Sequence, residues 1–302
     1  MISQVWPRSR ETPGETLAAL QIVLRDGFFG AVQTVEIPDA AERRHVAELL
    51  APAAVPLTYC AARVLNENGH NLSALDETQR RQSVDRMLRV LDDVRECGAR
   101  ALSLVSGPAP ADAARRAEAL ARLERSLASI SRRASERPAV EVIVEPLDVA
   151  AHKRHSLGST AEAVALCARL AEAGLAVRLC LDTAHMILNG EDPVAAVRLG
   201  MQYAPEFHFC NCVTDPAHPL FGDRHLPFGP PGVLDLVGIG ALMRALSRAG
   251  YFTEAIRPRL FCEVTARPED DSLEVLASVR EALRTGWALA SDPATVPPSP
   301  GS

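Results

Sequence analysis

VEVIVEPLDVAAHKRHSLGSTAEAVALCARLAEAGLAVRLCLDTAH, residues 140–185, is the stretch that decides the fold. A short apolar run rich in β-branched residues, Val140–Leu147, gives way to a segment of helical periodicity and then to a second apolar run, Val177–His185. Thr160 opens the middle segment with Glu162 close behind it, and Ala163, Leu166 and Leu170 fall on one stripe. Short continuous apolar runs on either side of a helix are what buried parallel strands look like.

The same alternation extends in both directions. Ile2–Trp6, Ala31–Ile37, Pro56–Leu65, Ala101–Gly107, Phe207–Cys212 and Leu260–Thr265 are further short runs bounded by Gly, Pro or charge, which makes eight expected strands. Helices are expected over Glu15–Asp26, Ala40–Leu50, Asp76–Cys97, Asp112–Arg133, Pro193–Gly200, Leu236–Ala249 and Glu269–Ala288. Gly98 and Gly250 stand just past two of these, where a left-handed C-cap favours glycine. Strand followed by helix allows an open doubly wound sheet or a closed barrel. The count of eight, and the lack of a Gly-x-Gly-x-x-Gly turn after the first run, favour the barrel. A chain of 302 residues suits eight units of roughly 30–40 residues each. The expected fold class is therefore α/β, a single-domain (β/α)8 TIM barrel over residues 1–290. Residues 291–302 are expected to form a disordered Pro/Ser-rich tail.

Four of the last strands carry ionisable residues near their carboxyl ends: Glu145, Asp182 with His185, His208, and Glu263. In a barrel that end is where side chains converge on a ligand. Three carboxylates crowded into an apolar surround repel one another, and a divalent cation relieves the repulsion. Oxygen donors with one imidazole suit Mn, Mg or Co, and Zn is admissible. The expected metal ligands are Glu145, Asp182, His208 and Glu263.

This set, with the string Leu181-Asp182-Thr183-Ala184-His185-Met186, resembles the xylose-isomerase-like barrel superfamily, in particular its sugar epimerase and isomerase branch, the ketose 3-epimerases. The resemblance covers the chain to about Leu289. It implies one divalent metal on Glu145, Asp182, His208 and Glu263, and a substrate contact from His185. It also implies enediolate chemistry: the metal polarises the carbonyl, one carboxylate removes the neighbouring proton, and a group on the other face returns it. Glu145 and Glu263 are the expected pair. The implied partner is a small-molecule sugar or sugar phosphate, and dimers among relatives make a homodimer an assembly to test.

A second motif, Gly222-Asp223-Arg224-His225, lies in the long segment after the seventh run and before the Gly/Pro-rich Pro227–Gly232. Its Asp-x-His pair resembles the apurinic-site endonuclease branch, where the two residues bind additional zinc. Here Asp223 and His225 are expected to contact substrate or to bind a second metal with His185, the alternative being a locally hydrogen-bonded turn. Arg224 is a candidate for a substrate hydroxyl or phosphate. The basic run His152-Lys153-Arg154-His155 faces the expected mouth and reads first as a solvated loop, the alternative being contacts to a phosphorylated or acidic substrate; Cys210 and Cys212 read as buried packing, Glu36 as a structural residue or a substrate contact, and His70 has no assigned role.

Composition sets the outer bounds. With 32 basic and 38 acidic residues the net charge is −6, which argues against a nucleic-acid partner. Seven cysteines without regular spacing suggest free thiols in a reducing compartment, and no apolar run is long enough to span a membrane or to serve as a signal peptide, so a cytoplasmic protein is expected. A dehydratase of the inosose or dehydroshikimate type would use the same first proton abstraction and remains the main alternative. An apurinic-site endonuclease is disfavoured because Arg63–Asn66 and Val105–Pro108 supply no histidine. A non-catalytic sugar-binding protein would not need two opposed carboxylates.

Overall fold

In the computed structural model, which describes residues 1–253 and 256–291, parallel strands alternate with helices as a TIM barrel requires. The strands are β1 (Val32–Thr34), β2 (Leu57–Cys60), β3 (Ala101–Val105), β4 (Glu141–Glu145), β5 (Val177–Asp182), β6 (Glu206–Val213), β7 (Gly222–Leu226) and β8 (Arg259–Glu263). The helices are α1 (Ile2–Val5), α2 (Glu15–Asp26), α3 (Ala40–Ala53), α4 (Ala62–Glu67), α5 (Glu77–Glu96), α6 (Arg116–Ala134), α7 (Thr160–Glu172), α8 (Thr183–Leu188), α9 (Pro193–Gly200), α10 (Leu236–Arg248) and α11 (Ser272–Ser291). Strands β1 to β6 pair in order and in parallel, and β8 joins β6, with Glu206 opposite Arg259 and Cys210 opposite Glu263. The tail expected over 291–302 lies, from residue 292 on, outside the described residues.

Local chemistry explains where the helices start. The Ser159 side chain accepts from the Glu162 N–H while the Glu162 carboxylate reaches back to the Ser159 N–H, a capping box that fixes the start of α7. Asp76 caps α5 by accepting from the Gln79 N–H at 2.7 Å. Gly98 and Gly250 adopt φ of 70° and 81°, the left-handed conformation their positions called for.

Three expectations are corrected. Ile2–Trp6 is not a strand: Ile2–Val5 is one helical turn, closed by Val5 N–H to Met1 O and Trp6 N–H to Ile2 O. Pro7 disfavours helix at the residue before it, and Trp6 leaves the turn at φ −119° and ψ 80°. This turn fills the space between β8 and β1, which do not pair among the described residues; Gln4 O accepts from Ala266 N–H at 2.9 Å. Next, the runs Pro56–Leu65 and Val177–His185 are strand only as far as Cys60 and Asp182, after which α4 and α8 begin. Finally, the segment holding Asp223 and His225 is not a turn but β7, which pairs antiparallel with β6 across a register shift at Asn211/Cys212. The Pro227–Gly232 loop that follows is clamped by Asn211, whose amide donates to Pro227 O and Gly229 O, both at 2.8 Å.

The barrel interior is layered. At the amino end of the strands Glu206 is fully buried and pairs with Arg259 at 2.8 Å and with the Thr58 hydroxyl, and Arg259 also reaches Glu141 at 2.6 Å. Above them sit the buried apolar side chains of Ala101, Ile143 and Cys180. The candidate site forms the layer above that, at the carboxyl ends. All seven cysteines are buried and free.

Candidate active site

Parallel register sets Asp182 level with His208, and Glu263 two residues further on, opposite Cys210. Val105 lies opposite Glu145. Glu145, Asp182, His208 and Glu263 are all buried. The His208 ring is the hub: its Nδ1 is 3.0 Å from Glu263 Oε1, 3.6 Å from Glu145 Oε1 and 3.9 Å from Asp182 Oδ2. Neither ring nitrogen makes a hydrogen bond to any of them. The Phe261 ring meets His208 edge-on, 5.6 Å between centroids, and fixes its plane.

Asp182 divides its two oxygens between structure and site. Oδ1 caps α8, accepting from the N–H groups of Ala184 at 2.7 Å and His185 at 3.2 Å. Oδ2 is buried and has no partner. Burial raises the Asp182 carboxyl, His185 opposes it, and the Glu263 and Glu145 carboxylates add to it, leaving a value of about 7. Glu263 goes the other way: burial would raise it, but the imidazoles of His208 and His225 hold it well below the usual carboxylate range.

These facts allow a test of whether a divalent cation fits. Buried polar atoms normally have hydrogen-bond partners, yet among the described residues Asp182 Oδ2 and both nitrogens of His208 make no hydrogen bond. Donor atoms of Asp182, His208 and Glu263 lie within 4.8 Å of one another, as do those of Glu145, Cys180 and His208. Three carboxylates and an imidazole converging with unused donors fit a divalent cation.

A second group overhangs the first. Alternation along β7 sends Asp223 inward and leaves Arg224 exposed, so the structure does not bring Arg224 into the pocket. His225 has φ 51°, an uncommon conformation for a residue other than glycine, and its Nε2 sits 2.9 Å from Glu263 Oε2 and 3.3 Å from Asp223 Oδ2. His185, on the first turn of α8, stands between Asp148 (Nδ1 to Oδ2, 3.3 Å) and Asp223 (Nε2 to Oδ2, 3.7 Å). Burial lowers the His185 imidazole, but Asp148, Asp182 and Asp223 outweigh it and raise the group to about 9. His225 is treated alike: burial opposes, Asp223 and Glu263 prevail, and it reaches about 10.

Lys153 corrects the reading of 152–155 as a solvated loop. Its Nζ lies 3.0 Å from Asp223 Oδ2, inside the pocket, and the nearby His155 is buried with Nδ1 accepting from Gly107 N–H at 3.2 Å. Lys153 supplies at Asp223 the positive charge that a second metal would bring. The loop closes because Asp148 accepts from the N–H groups of His152 and Lys153. It also passes Gly222, where a Cβ would come within 2.6 Å of His152 and φ is 94°. Sequence reasoning missed Asp148 altogether and, for Lys153, missed its pairing with Asp223. An aspartate just past a strand end, able to accept from its own chain four and five residues on, was the available signal.

Cys210 and Cys212 are buried as expected, and Cys210 also donates to Asp223 Oδ1 at 3.2 Å. Glu36 pairs with Arg86 and does not line the pocket, nor does His70. The cavity holds about 220 Å³, and its lining includes Glu145, Glu263, His185, His225 and Asp223 together with Arg10, Arg63 and Lys153.

Comparison with known proteins agrees with this architecture. A family model described as a xylose isomerase-like TIM barrel matches residues 25–284. An L-ribulose 3-epimerase structure is similar at 18% identity and TM-score 0.70, covering 95% of this chain and 93% of that one. The D-psicose 3-epimerase of Clostridium cellulolyticum H10, solved with D-tagatose, is similar at 15% identity and TM-score 0.63 over 90% and 93%. The IolI protein, solved with a zinc atom, is similar at 15% identity and TM-score 0.66 over 90% and 91%. At these identities the likeness is one of fold. No curated protein sequence matches the chain significantly.

Proposed function

We propose that this chain, which belongs to the xylose isomerase-like TIM-barrel family, is an enzyme that isomerises or epimerises a sugar or sugar-like hydroxy-ketone by moving the proton next to its carbonyl. The observation that carries the reading is the pair Glu145 and Glu263. They project from β4 and β8 into one pocket and approach the same imidazole nitrogen at 3.6 and 3.0 Å. Two carboxylates from separate strands can address the two faces of one carbon.

Glu145, Asp182, His208 and Glu263 would hold one divalent cation. When bound, it supplies Lewis acidity to the carbonyl and neighbouring hydroxyl oxygens and stabilises the charge of the enediolate. For epimerisation one glutamate takes the proton from the carbon next to the carbonyl and the other returns one to the opposite face of that carbon; for isomerisation the glutamate that took the proton gives it to the former carbonyl carbon, while the hydroxyl proton passes to the old carbonyl oxygen. His225, 2.9 Å from Glu263 Oε2, keeps that carboxylate ionised and ready to accept. His185, kept charged by Asp148 and Asp223, donates to a substrate oxygen. Lys153 at Asp223 makes a second cation unnecessary. Among the described residues no histidine from β1 to β3 lines the pocket, which speaks against a nuclease with several zinc ions.

Solvent exchange tests the reading. Protein loaded with Mn, incubated in heavy water with ketoses, keto-inositols and hydroxypyruvate, should place deuterium next to a carbonyl and yield rearranged product, both dependent on Glu145 and Glu263. Exchange coupled to loss of water would make the enzyme a dehydratase. A bound metal with no exchange on any compound would refute the proton-transfer reading for that panel.

A further inference from the structure

The proton-transfer scheme leaves two cations of the pocket without a task. Arg10, at the end of the 3-10 turn Pro7–Arg10, and Arg63, in α4, line the same cavity as Glu145 and Glu263. Arg63 is anchored, its Nε on Glu67 at 2.7 Å and its Nη1 donating to Arg10 O at 2.8 Å. Arg10 is anchored only through Nε, which donates to Ser3 O at 2.9 Å. Among the described residues its two terminal nitrogens have no partner and no carboxylate lies within ion-pair distance of it.

That arrangement is costly for the protein alone. A half-buried guanidinium without a counter-ion loses solvation, and a second guanidinium beside it adds repulsion. Burial and the Arg63 cation do hold Arg10 below its ordinary pKa, although a guanidinium stays charged regardless. The other basic groups of the pocket are engaged: Lys153 and His225 face Asp223, and His185 stands between Asp148 and Asp223. Arg10 is therefore the charge left for a ligand, with Arg63 held beside it by Glu67 and by Arg10 O, and a planar guanidinium fork matches the paired oxygens of a carboxylate or phosphate.

We propose that the substrate carries an anionic group, a carboxylate or a phosphate, and that Arg10 together with Arg63 binds it. The substrate class is then a keto acid bearing hydroxyl groups or a ketose phosphate rather than a neutral ketose. This rests on the proton-transfer reading and narrows it, since a neutral sugar would leave the Arg10 guanidinium without an ion-pair partner once water is displaced.

The experiment has two arms. In the first, Mn-loaded protein in heavy water is given a ketohexose, its terminal phosphate ester and the matching ketouronic acid, and deuterium exchange is read as kcat/KM. One anionic member should exceed the neutral ketose by roughly tenfold or more, and Arg10→Met or Arg63→Met should abolish the preference. Which member wins separates phosphate from carboxylate. In the second arm, titration calorimetry follows inorganic phosphate and malonate binding to the wild type and both variants. Binding should weaken with salt and fall roughly tenfold or more in Arg10→Met; if that variant does not fold, Arg63→Met decides. A neutral ketose processed as well as both anions would overturn the proposal and leave proton transfer standing. Arg-dependent anion binding without any exchange would keep the arginine site and remove the proton-transfer reading. Neither exchange nor arginine-dependent binding would remove both.

Discussion

The two ends of the barrel interior are built from the same strands and treat charge in opposite ways. At the amino end β4, β6 and β8 contribute Glu141, Glu206 and Arg259, and the guanidinium bridges the carboxylates at 2.6 and 2.8 Å. At the carboxyl end, four residues further along β4 and β8 and two along β6, the same strands contribute Glu145, Glu263 and His208, and β5 adds Asp182. Here no arginine is built in, and the imidazole stands among carboxylates without a hydrogen bond. One layer brings an arginine that hydrogen-bonds its carboxylates; the other, although His225 reaches Glu263, leaves Asp182 Oδ2 and both His208 nitrogens without a hydrogen bond among the described residues. The first is a structural plug and the second a site, and the following experiments press on that division.

The largest effect is expected at the open layer. Glu263→Gln removes a proton carrier and a charged donor while keeping shape, so kcat/KM should fall by about 10³ or more. The thermal unfolding midpoint should stay nearly unchanged. A variant that loses its fold along with its activity would mean that Glu263 holds the barrel together, and the distinction between the layers would fail.

Arg259→Met makes the converse cut. It strands Glu141 and the fully buried Glu206, so urea unfolding should show a loss of roughly 3 kcal/mol. Replacing Glu206 by Leu in the same chain should recover part of it, because two apolar side chains can stand in for a buried pair. Residual kcat/KM per folded molecule should be close to the wild type. Stability unmoved by Arg259→Met would show that the lower layer is not a plug.

How much of this was legible in the sequence follows from the same division. That Glu145, Asp182, His208 and Glu263 would converge was legible because each is an ionisable residue set in an otherwise apolar run, where it has no packing role to hide behind. The barrel could be found because six of the expected helices begin within a residue of the observed ones. The first strand could not, since Ile2 and Val5 serve a helical turn as well as a strand and only Pro7 tilts the balance. Asp148 and Lys153 were hidden for another reason. Their roles depend on a loop that folds back through its own side chain-to-backbone hydrogen bonds, and on β7, whose turn-like composition pairs only because β6 is already in place. Arg10 lay in a segment with no motif, made a pocket wall only by the packing of α1.

Metal addition should separate the layers thermodynamically. A ligand that binds only the folded chain at a hundred times its dissociation constant contributes about 2.7 kcal/mol. Mn or Co should therefore raise the midpoint of the wild type and of Arg259→Met alike. Asp182→Asn, which keeps an oxygen for the α8 cap but weakens the free donor, should abolish most of the rise. An equal shift in that variant would place the cation elsewhere.

A third way of handling a buried titratable group appears in the loop after β4, and it gives the smallest effect. His155 is neither paired with a carboxylate nor left open; it is kept neutral. Its Nδ1 accepts from Gly107 N–H, which only an unprotonated nitrogen can do. Burial, with His185 adding to it against Asp148, lowers the imidazole to about 4, against about 6.5 in the unfolded chain. Between those values the unfolded state binds more protons, so stability must rise with pH across the window. The contribution is complete above about pH 6.5 and is lost as pH falls toward 4, and its size is on the order of 2 kcal/mol. Many groups titrate there, so the measurement is a difference: urea unfolding of wild type against His155→Asn, whose amide oxygen can accept from Gly107 but does not titrate. The wild type should lose more stability than the variant between pH 6.5 and 4. Parallel pH profiles would show that His155 protonates freely in the fold, and the loop that presents Lys153 to Asp223 would then need another anchor.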